Sequence, residues 1–157
     1  MRVLITGGCG FIGSAVCRRA VADLGWDVLN VDALTYAANP ANVAEIAADS
    51  RYRFLKADIT DLAAMTAAFA DFRPAGVIHL AAESHVDRSI TGSSTFVQTN
   101  IVGTHVLLEA ARQHWNGLDD AGRAGFRFLH VSTDEVYGSL GDDGLFTETT
   151  AYDPRSP

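Results

Sequence analysis

The clearest candidates for chemistry lie in Ser132-Thr133-Asp134-Glu135-Val136-Tyr137-Gly138, where two carboxyls and a hydroxyl follow an apolar run. Paired carboxyls can work as general acid and general base if their surroundings keep one protonated and the other ionised. In an extended strand Asp134 and Glu135 point to opposite faces. A helical turn starting at Thr133 would bring them within about 100° of each other and let both face one pocket. The plainer reading is structural. Ser132 and Glu135 spell the S-x-x-E capping box, and acids in a first helical turn are stabilising in any case. Spacing alone leans toward the cap and leaves both readings open.

A second stretch, Val3-Leu4-Ile5-Thr6-Gly7-Gly8-Cys9-Gly10-Phe11-Ile12-Gly13, has the chemistry of a phosphate cradle. An apolar run ends in glycines and a helical pattern follows at once. Gly8, Gly10 and Gly13 fit G-x-G-x-x-G, and Gly7, Gly10 and Gly13 fit G-x-x-G-x-x-G, so the register stays open. In either, one glycine turns the backbone, one leaves room for a pyrophosphate and one lets the helix lie close on the strand. The helix N-terminus then aims free N–H groups at the phosphates. A second apolar run, Trp26 to Val31, ends in Asp32, nineteen residues past Gly13. An acid there can bond both hydroxyls of an adenosine ribose and repel a 2′-phosphate, which favours NAD over NADP.

The third stretch is Ala81-Ala82-Glu83-Ser84-His85-Val86-Asp87-Arg88-Ser89. Small Ala81 and Ala82 leave room for a dinucleotide, and the Ser84 hydroxyl can bond a ribose or a sugar. A solvated loop with Asp87 paired to Arg88 is the plainer alternative, and spacing favours it. Asp58 either meets the adenine edge or is an acid near a helix start at Thr60. Thr99 and Asn100 either face solvent or bond the loop above the cofactor. His79 and His130, on predicted strands, read as core histidines rather than catalysts.

The elements that must position these groups alternate regularly. Strands are expected at about 2–6, 27–31, 52–57, 76–81 and 126–132, and helices at about 11–24, 40–48, 61–72 and 95–115. On helix 11–24 the apolar spacing marks Phe11, Ile12, Ala15, Val16, Ala20 and Leu24; on the long helix it marks Val97, Ile101, Leu107, Leu108 and Ala111. Residues 116–125 read as a polar, glycine-bearing link, and 133–157 as an irregular, turn-rich tail. Alternation of this kind implies an α/β fold, a doubly wound parallel sheet of the Rossmann type with strand order 3-2-1-4-5. Ligands then belong at the carboxyl ends of strands one and four, where the stretches above fall.

The 157 residues fit one domain, and at 48% hydrophobic they can bury a sizeable core. A net charge of −7 with no basic cluster argues against nucleic acid as a partner. Cys9 and Cys17 suggest neither a disulfide framework nor a metal site, so no metal is expected, and reduced thiols of a cytoplasmic protein are the simple reading. The chain carries neither a signal-peptide pattern nor a run long enough to span a bilayer. With strand five left uncovered, the fold is expected to be truncated before its later strands. That makes 1–157 an incomplete NAD-binding domain without its C-terminal substrate-binding region.

Taken together, TGGCGFIG, Asp32 in VDALTYA, HLAAESHVDRS, the Thr99-Asn100 pair and STDEVYG resemble the extended short-chain dehydrogenase/reductase family. More narrowly, they are similar to its nucleotide-sugar 4,6-dehydratases, above all the branch that acts on dTDP-glucose. Cys9 stands where that family usually has an alanine. The resemblance implies NAD as cofactor, with Gly7, Gly10, Phe11, Ile12 and Gly13 on the pyrophosphate. It places Asp32, Ala33, Leu34 and Thr35 on the adenosine ribose and Asp58 and Ile59 at the adenine. Leu80, Ala81, Ala82, Glu83, Ser84 and Thr99 would line the cofactor, with Ser84 also near the sugar. Thr133 would bond the sugar, Asp134 act as general acid and Glu135 as general base.

The implied reaction is oxidation at C4, loss of water across C5 and C6, and return of hydride to C6, giving a 4-keto-6-deoxy sugar. It asks Asp134 to hold a proton, through burial or the nearby Glu135 charge. The family also uses a tyrosine, then three residues, then a lysine at C4; in relatives that tyrosine directly follows a Ser-Pro like Ser156-Pro157, and neither of those two residues is among the 157. The 157 residues are therefore expected to show no turnover, and a homodimer is expected at full length. Two rivals remain: a nucleotide-sugar 4-epimerase of the same family, and a non-catalytic dinucleotide-binding module.

Overall fold

The computed structural model describes residues 1–85, 92–141 and 144–155. Asp87, Arg88, Ser156 and Pro157 lie outside them. Five strands, β1 (Arg2–Thr6), β2 (Asp27–Asp32), β3 (Tyr52–Lys56), β4 (Gly76–His79) and β5 (Arg127–His130), form one sheet in the order β3-β2-β1-β4-β5. Every pairing is parallel, with Thr6 opposite both Val31 and His79. The expected doubly wound sheet is thus present.

Period-two alternation splits the core between the two faces. Leu4, Leu29, Val31 and Val77 point to one face, under Met65, Phe69 and Phe72 of helix α2 (Leu62–Phe72). Leu107, Ala110 and Ala111 of the long helix complete that layer. Val3, Ile5 and Val28 point to the other face, with Cys17, Ala20, Val21, Val43 and Ile46. Burial of this kind is the main favourable term in folding.

Helix α1 (Phe11–Arg18) continues as a π-helical stretch, Arg19–Asp23. Its buried face differs from the expected one. Gly13, Ser14, Cys17, Ala20 and Val21 face the sheet, and Phe11, Ile12 and Leu24 are exposed. Gly13 sets this rotation: a Cβ there would lie 2.1 Å from the Gly7 carbonyl oxygen, so the glycine side must face inward and small residues follow it. The expected helix after Pro40 is a 3-10 helix, Pro40–Ile46, capped by the Asn39 side chain on Ala41 N.

The long helix is built from α3 (Ser93–Phe96), a π-helical stretch (Val97–Gly103) and α4 (Thr104–Asn116). Val97, Ile101 and Leu108 are exposed rather than buried. The link at 116–125 contains a helix that its glycines obscured, α5 (Asp120–Gly125), begun by the Asp119 side chain accepting from Gly122 N. Strand β5 ends two residues earlier than expected. Leu129 and Val131 are 55% and 40% exposed, so the uncovered apolar edge is real.

The tail is irregular, as expected, but it is docked. Asp153 N donates to Val136 O, and the Tyr137 ring packs 5.3 Å from Phe146 and 5.6 Å from Tyr152. No helix among the described residues is long and apolar enough to cross a membrane.

Candidate functional site

At the carboxyl ends of β1, β2 and β4 a cleft opens beside the glycine turn. The geometry settles the glycine register. Gly7 has φ of +70°, and a Cβ on it would lie 2.8 Å from Ala81 N. A left-handed residue pressed against backbone admits only glycine at low cost. Gly8 serves packing instead: a Cβ there would strike the Asn30 amide and the Cys17 sulfur. Gly7 and Gly10 line the cleft. Helix α1 starts without a side-chain cap and with no acid in its first turn, so its free N–H groups and positive end are left for an anion.

Asp32 is the best-fixed acid of the cleft. It is 7% exposed, its Oδ2 accepts from Cys9 N at 2.8 Å and its Oδ1 from Leu34 N at 2.8 Å. Cys9 O in turn accepts from Asn39 N. The glycine turn and the loop after β2 are therefore joined through both. Leu34 adopts φ of +57° and lines neither part of the cleft; its N–H serves Asp32 and its side chain packs on the core. Asp58 lines the cleft while its Oδ1 accepts from Thr60 N and Thr60 Oγ1, so it caps a turn and faces the pocket at once. The helix cap itself is Asp61.

Leu80 to Glu83 form the shared wall of two adjoining pockets. The first holds Asp32, Ala33, Thr35, Asp58, Ile59 and Thr99. The second holds Phe11, Ile12, Gly13, Ser84, Thr133, Asp134 and Glu135. The shared wall is fastened at its far end by Asn100, whose Oδ1 accepts from Glu83 N at 2.8 Å and whose Nδ2 donates to Glu83 O at 2.9 Å. Asn100 therefore bonds the loop rather than facing solvent.

At the acidic corner the turn is a 3-10 helix, Asp134–Tyr137. Its cap is Thr133, whose Oγ1 accepts from Glu135 N, and not Ser132. Both residues line one pocket. Both are also exposed, so nothing among the described residues desolvates Asp134, and the burial asked of a proton-holding acid is not found there.

His79 is a core histidine, as expected, whereas His130 is exposed and lines the second pocket. Tyr52 and Lys56 have the Tyr-x-x-x-Lys spacing, but on extended β3, where four residues span about 13 Å. The Tyr52 phenol is instead buried against Asn30 Nδ2, and desolvation pushes its pKa up to about 12. Cys9 and Cys17 are free and buried; burial pushes Cys17 up to about 12. Sequence reasoning missed Ala37, Ala38 and Ala57, which line the first pocket, because small apolar loop residues carry no signal of their own.

A family model described as GDP-mannose 4,6 dehydratase matches residues 4–157. The chain belongs to this dehydratase family. It is 59% identical over 157 residues to a probable dTDP-glucose 4,6-dehydratase of Sinorhizobium fredii, covering 100% of this chain and 45% of that one. It is 54% identical over 166 residues to dTDP-glucose 4,6-dehydratase 1 of Escherichia coli, covering 100% of this chain and 46% of that one. A crystal structure of the Streptomyces venezuelae dTDP-glucose 4,6-dehydratase with NAD bound superposes with a TM-score of 0.86 at 44% identity, over 99% of this chain and 46% of that one. A Thermus thermophilus UDP-glucose 4-epimerase complex with NAD superposes at 0.83 and 31% identity, over 99% of this chain and 45% of that one. The dehydratase-family chain thus spans about half the length of the curated relatives it matches.

Proposed function

We infer that the chain is the NAD-binding part of a cytoplasmic dTDP-glucose 4,6-dehydratase that works as a homodimer at full length. One observation carries this reading. Two adjoining pockets share the Leu80–Glu83 wall, the first lined by Asp32 and Gly7 and the second by the paired acids Asp134 and Glu135.

The residues present suit a dinucleotide. Gly7 and Gly10 and the uncapped start of α1 offer backbone donors and space to a pyrophosphate. The Asp32 carboxylate faces the ribose end and carries the charge that disfavours a 2′-phosphate. Asp58 and Ile59 frame the adenine. When bound, NAD supplies a hydride acceptor that is restored in each cycle.

The protein's own groups then handle protons. A ketone at C4 acidifies the C5 hydrogen, and Glu135 takes that proton. Asp134 gives a proton to the hydroxyl leaving C6, so water departs. Thr133 bonds the sugar. Acid and base roles of this kind are worth roughly 10²- to 10⁴-fold each. Because Asp134 is exposed among the described residues, a nucleotide sugar bound over it would supply its desolvation. The tyrosine and lysine that serve C4 in the family are not among the 157 residues.

In a polypeptide extended to include that pair, Glu135→Gln should stall after oxidation and leave the reduced-nicotinamide absorbance high. Normal turnover of that variant would refute the base assignment. Product analysis separates the epimerase reading, since an epimerase forms no 4-keto-6-deoxy sugar and needs no acid/base pair at Asp134 and Glu135.

A further inference from the structure

The cofactor wall Leu80–Glu83 hangs from an internal hydrogen-bond chain that runs through His79. Thr6 Oγ1 accepts from Ala81 N at 3.2 Å and from Leu80 N at 3.2 Å, the latter N–H being shared with Thr6 O. A hydroxyl has two acceptor sites, so both are taken, and its own proton must go elsewhere. The partner left to it is His79 Nδ1, 2.6 Å away. His79 Nδ1 is therefore an acceptor, and the ring carries its hydrogen on Nε2, which lies 3.0 Å from Thr104 Oγ1. The direction of every bond is fixed by the two backbone donors at the start of the chain. The ring has no surface exposure and is packed against Phe128 and His130.

This chain joins three elements. Thr6 ends β1 and precedes Gly7, His79 ends β4, and Thr104 begins α4 directly after the π-helical stretch that carries Thr99 and Asn100. Asn100 holds the other end of the wall at Glu83. Ala81 lies so close to Gly7 that a single Cβ does not fit between them. Any shift of Thr6 or Thr104 therefore moves the wall against the glycine turn.

We propose that His79 is a positioning residue for the dinucleotide: its Nε2–H tautomer couples Thr6 to Thr104 and so fixes the distance between the glycine turn and the Leu80–Glu83 wall. This rests on the reading that the cleft binds NAD. His79 touches neither cofactor nor substrate and acts only through the backbone it holds.

The test uses the ¹⁵N-labelled chain and calorimetric titration with NAD. Ring ¹⁵N shifts of His79 near neutral pH should show a protonated Nε2 and a hydrogen-bonded, unprotonated Nδ1; the opposite tautomer would overturn the proposal without any variant. Thr104→Val removes the acceptor and should raise the Kd for NAD about tenfold, the worth of one ordinary buried hydrogen bond. Thr104→Ser, which keeps the hydroxyl, should restore the parent Kd. His79→Asn, with its amide oxygen near the Nδ1 position, should keep the Thr6 bond and weaken NAD binding like Thr104→Val. A merely structural role would lower the melting temperature of these variants and leave the Kd unchanged well below it; that result would refute the positioning role. Failure of the parent chain to bind NAD would refute the functional reading itself, with the tautomer result still separately readable.

Discussion

His79 makes the stability of this fold depend on pH in a defined window. Burial, helped by nearby His130, pushes the imidazole down to about 4 from its ordinary 6.5. The unfolded chain takes up that proton near pH 6.5 and the folded chain only near pH 4. Between these values the unfolded state holds more protons, so stability rises with pH and is lost as the solution is acidified. A difference of about 2.5 units at about 1.4 kcal/mol each comes to roughly 3 kcal/mol, with about 2 kcal/mol gone by pH 5. That is a large share of the roughly 5–15 kcal/mol that holds a domain folded. Asp49, which hydrogen bonds from Arg51 hold down to about 2, acts in the same direction but only below its ordinary 3.8, beneath this window. Urea unfolding of the ligand-free chain at pH 7, 6 and 5 measures the effect, with His79→Asn as the variant that cannot titrate. The parent curve should fall by about 2 kcal/mol relative to the variant's between pH 7 and 5. Parallel curves, or an NMR titration of the His79 ring centred near 6.5, would refute the reasoning.

Gly13→Ala should unfold the turn more than Gly10→Ala, because the new Cβ would sit 2.1 Å from the Gly7 carbonyl in the first and 3.2 Å in the second. The difference in thermal stability should be about 1–3 kcal/mol, and equal melting curves would remove the packing argument for Gly13. Asp32→Ala should weaken NAD binding by about tenfold or more, as loss of hydrogen bonds to a charged group does. It should also narrow the preference over NADP, and competitive titration with the two dinucleotides checks both.

Much of this arrangement could be read from the residues. Val3, Leu4 and Ile5 alternate between the two core faces, and the recurrence of such runs between helical patterns dictated the parallel sheet and its order. Asp32 at the end of β2 was legible because an acid at that spacing has one favoured use. What was not legible depends on contacts distant in sequence. Gly7 and Gly8 precede Gly10 and Gly13 in equally good spacings, and contacts with Ala81, Asn30 and Cys17, distant in sequence, show which glycine is for packing. The face of α1 was misjudged because the needs of Gly13 outweigh hydropathy. The His79 chain depends on counting the lone pairs of Thr6, which no pattern in one segment reveals.

The bonds from Cys9 and Leu34 to Asp32 hold that carboxylate in one rotamer before any ligand arrives. The conformational entropy of ordering the acid is thus spent during folding, and binding need not include it. If the cleft holds NAD as proposed, preorganisation of this kind would offer a ribose a rigid acceptor, and recognition at that end should be governed by fit and desolvation rather than by induced rearrangement.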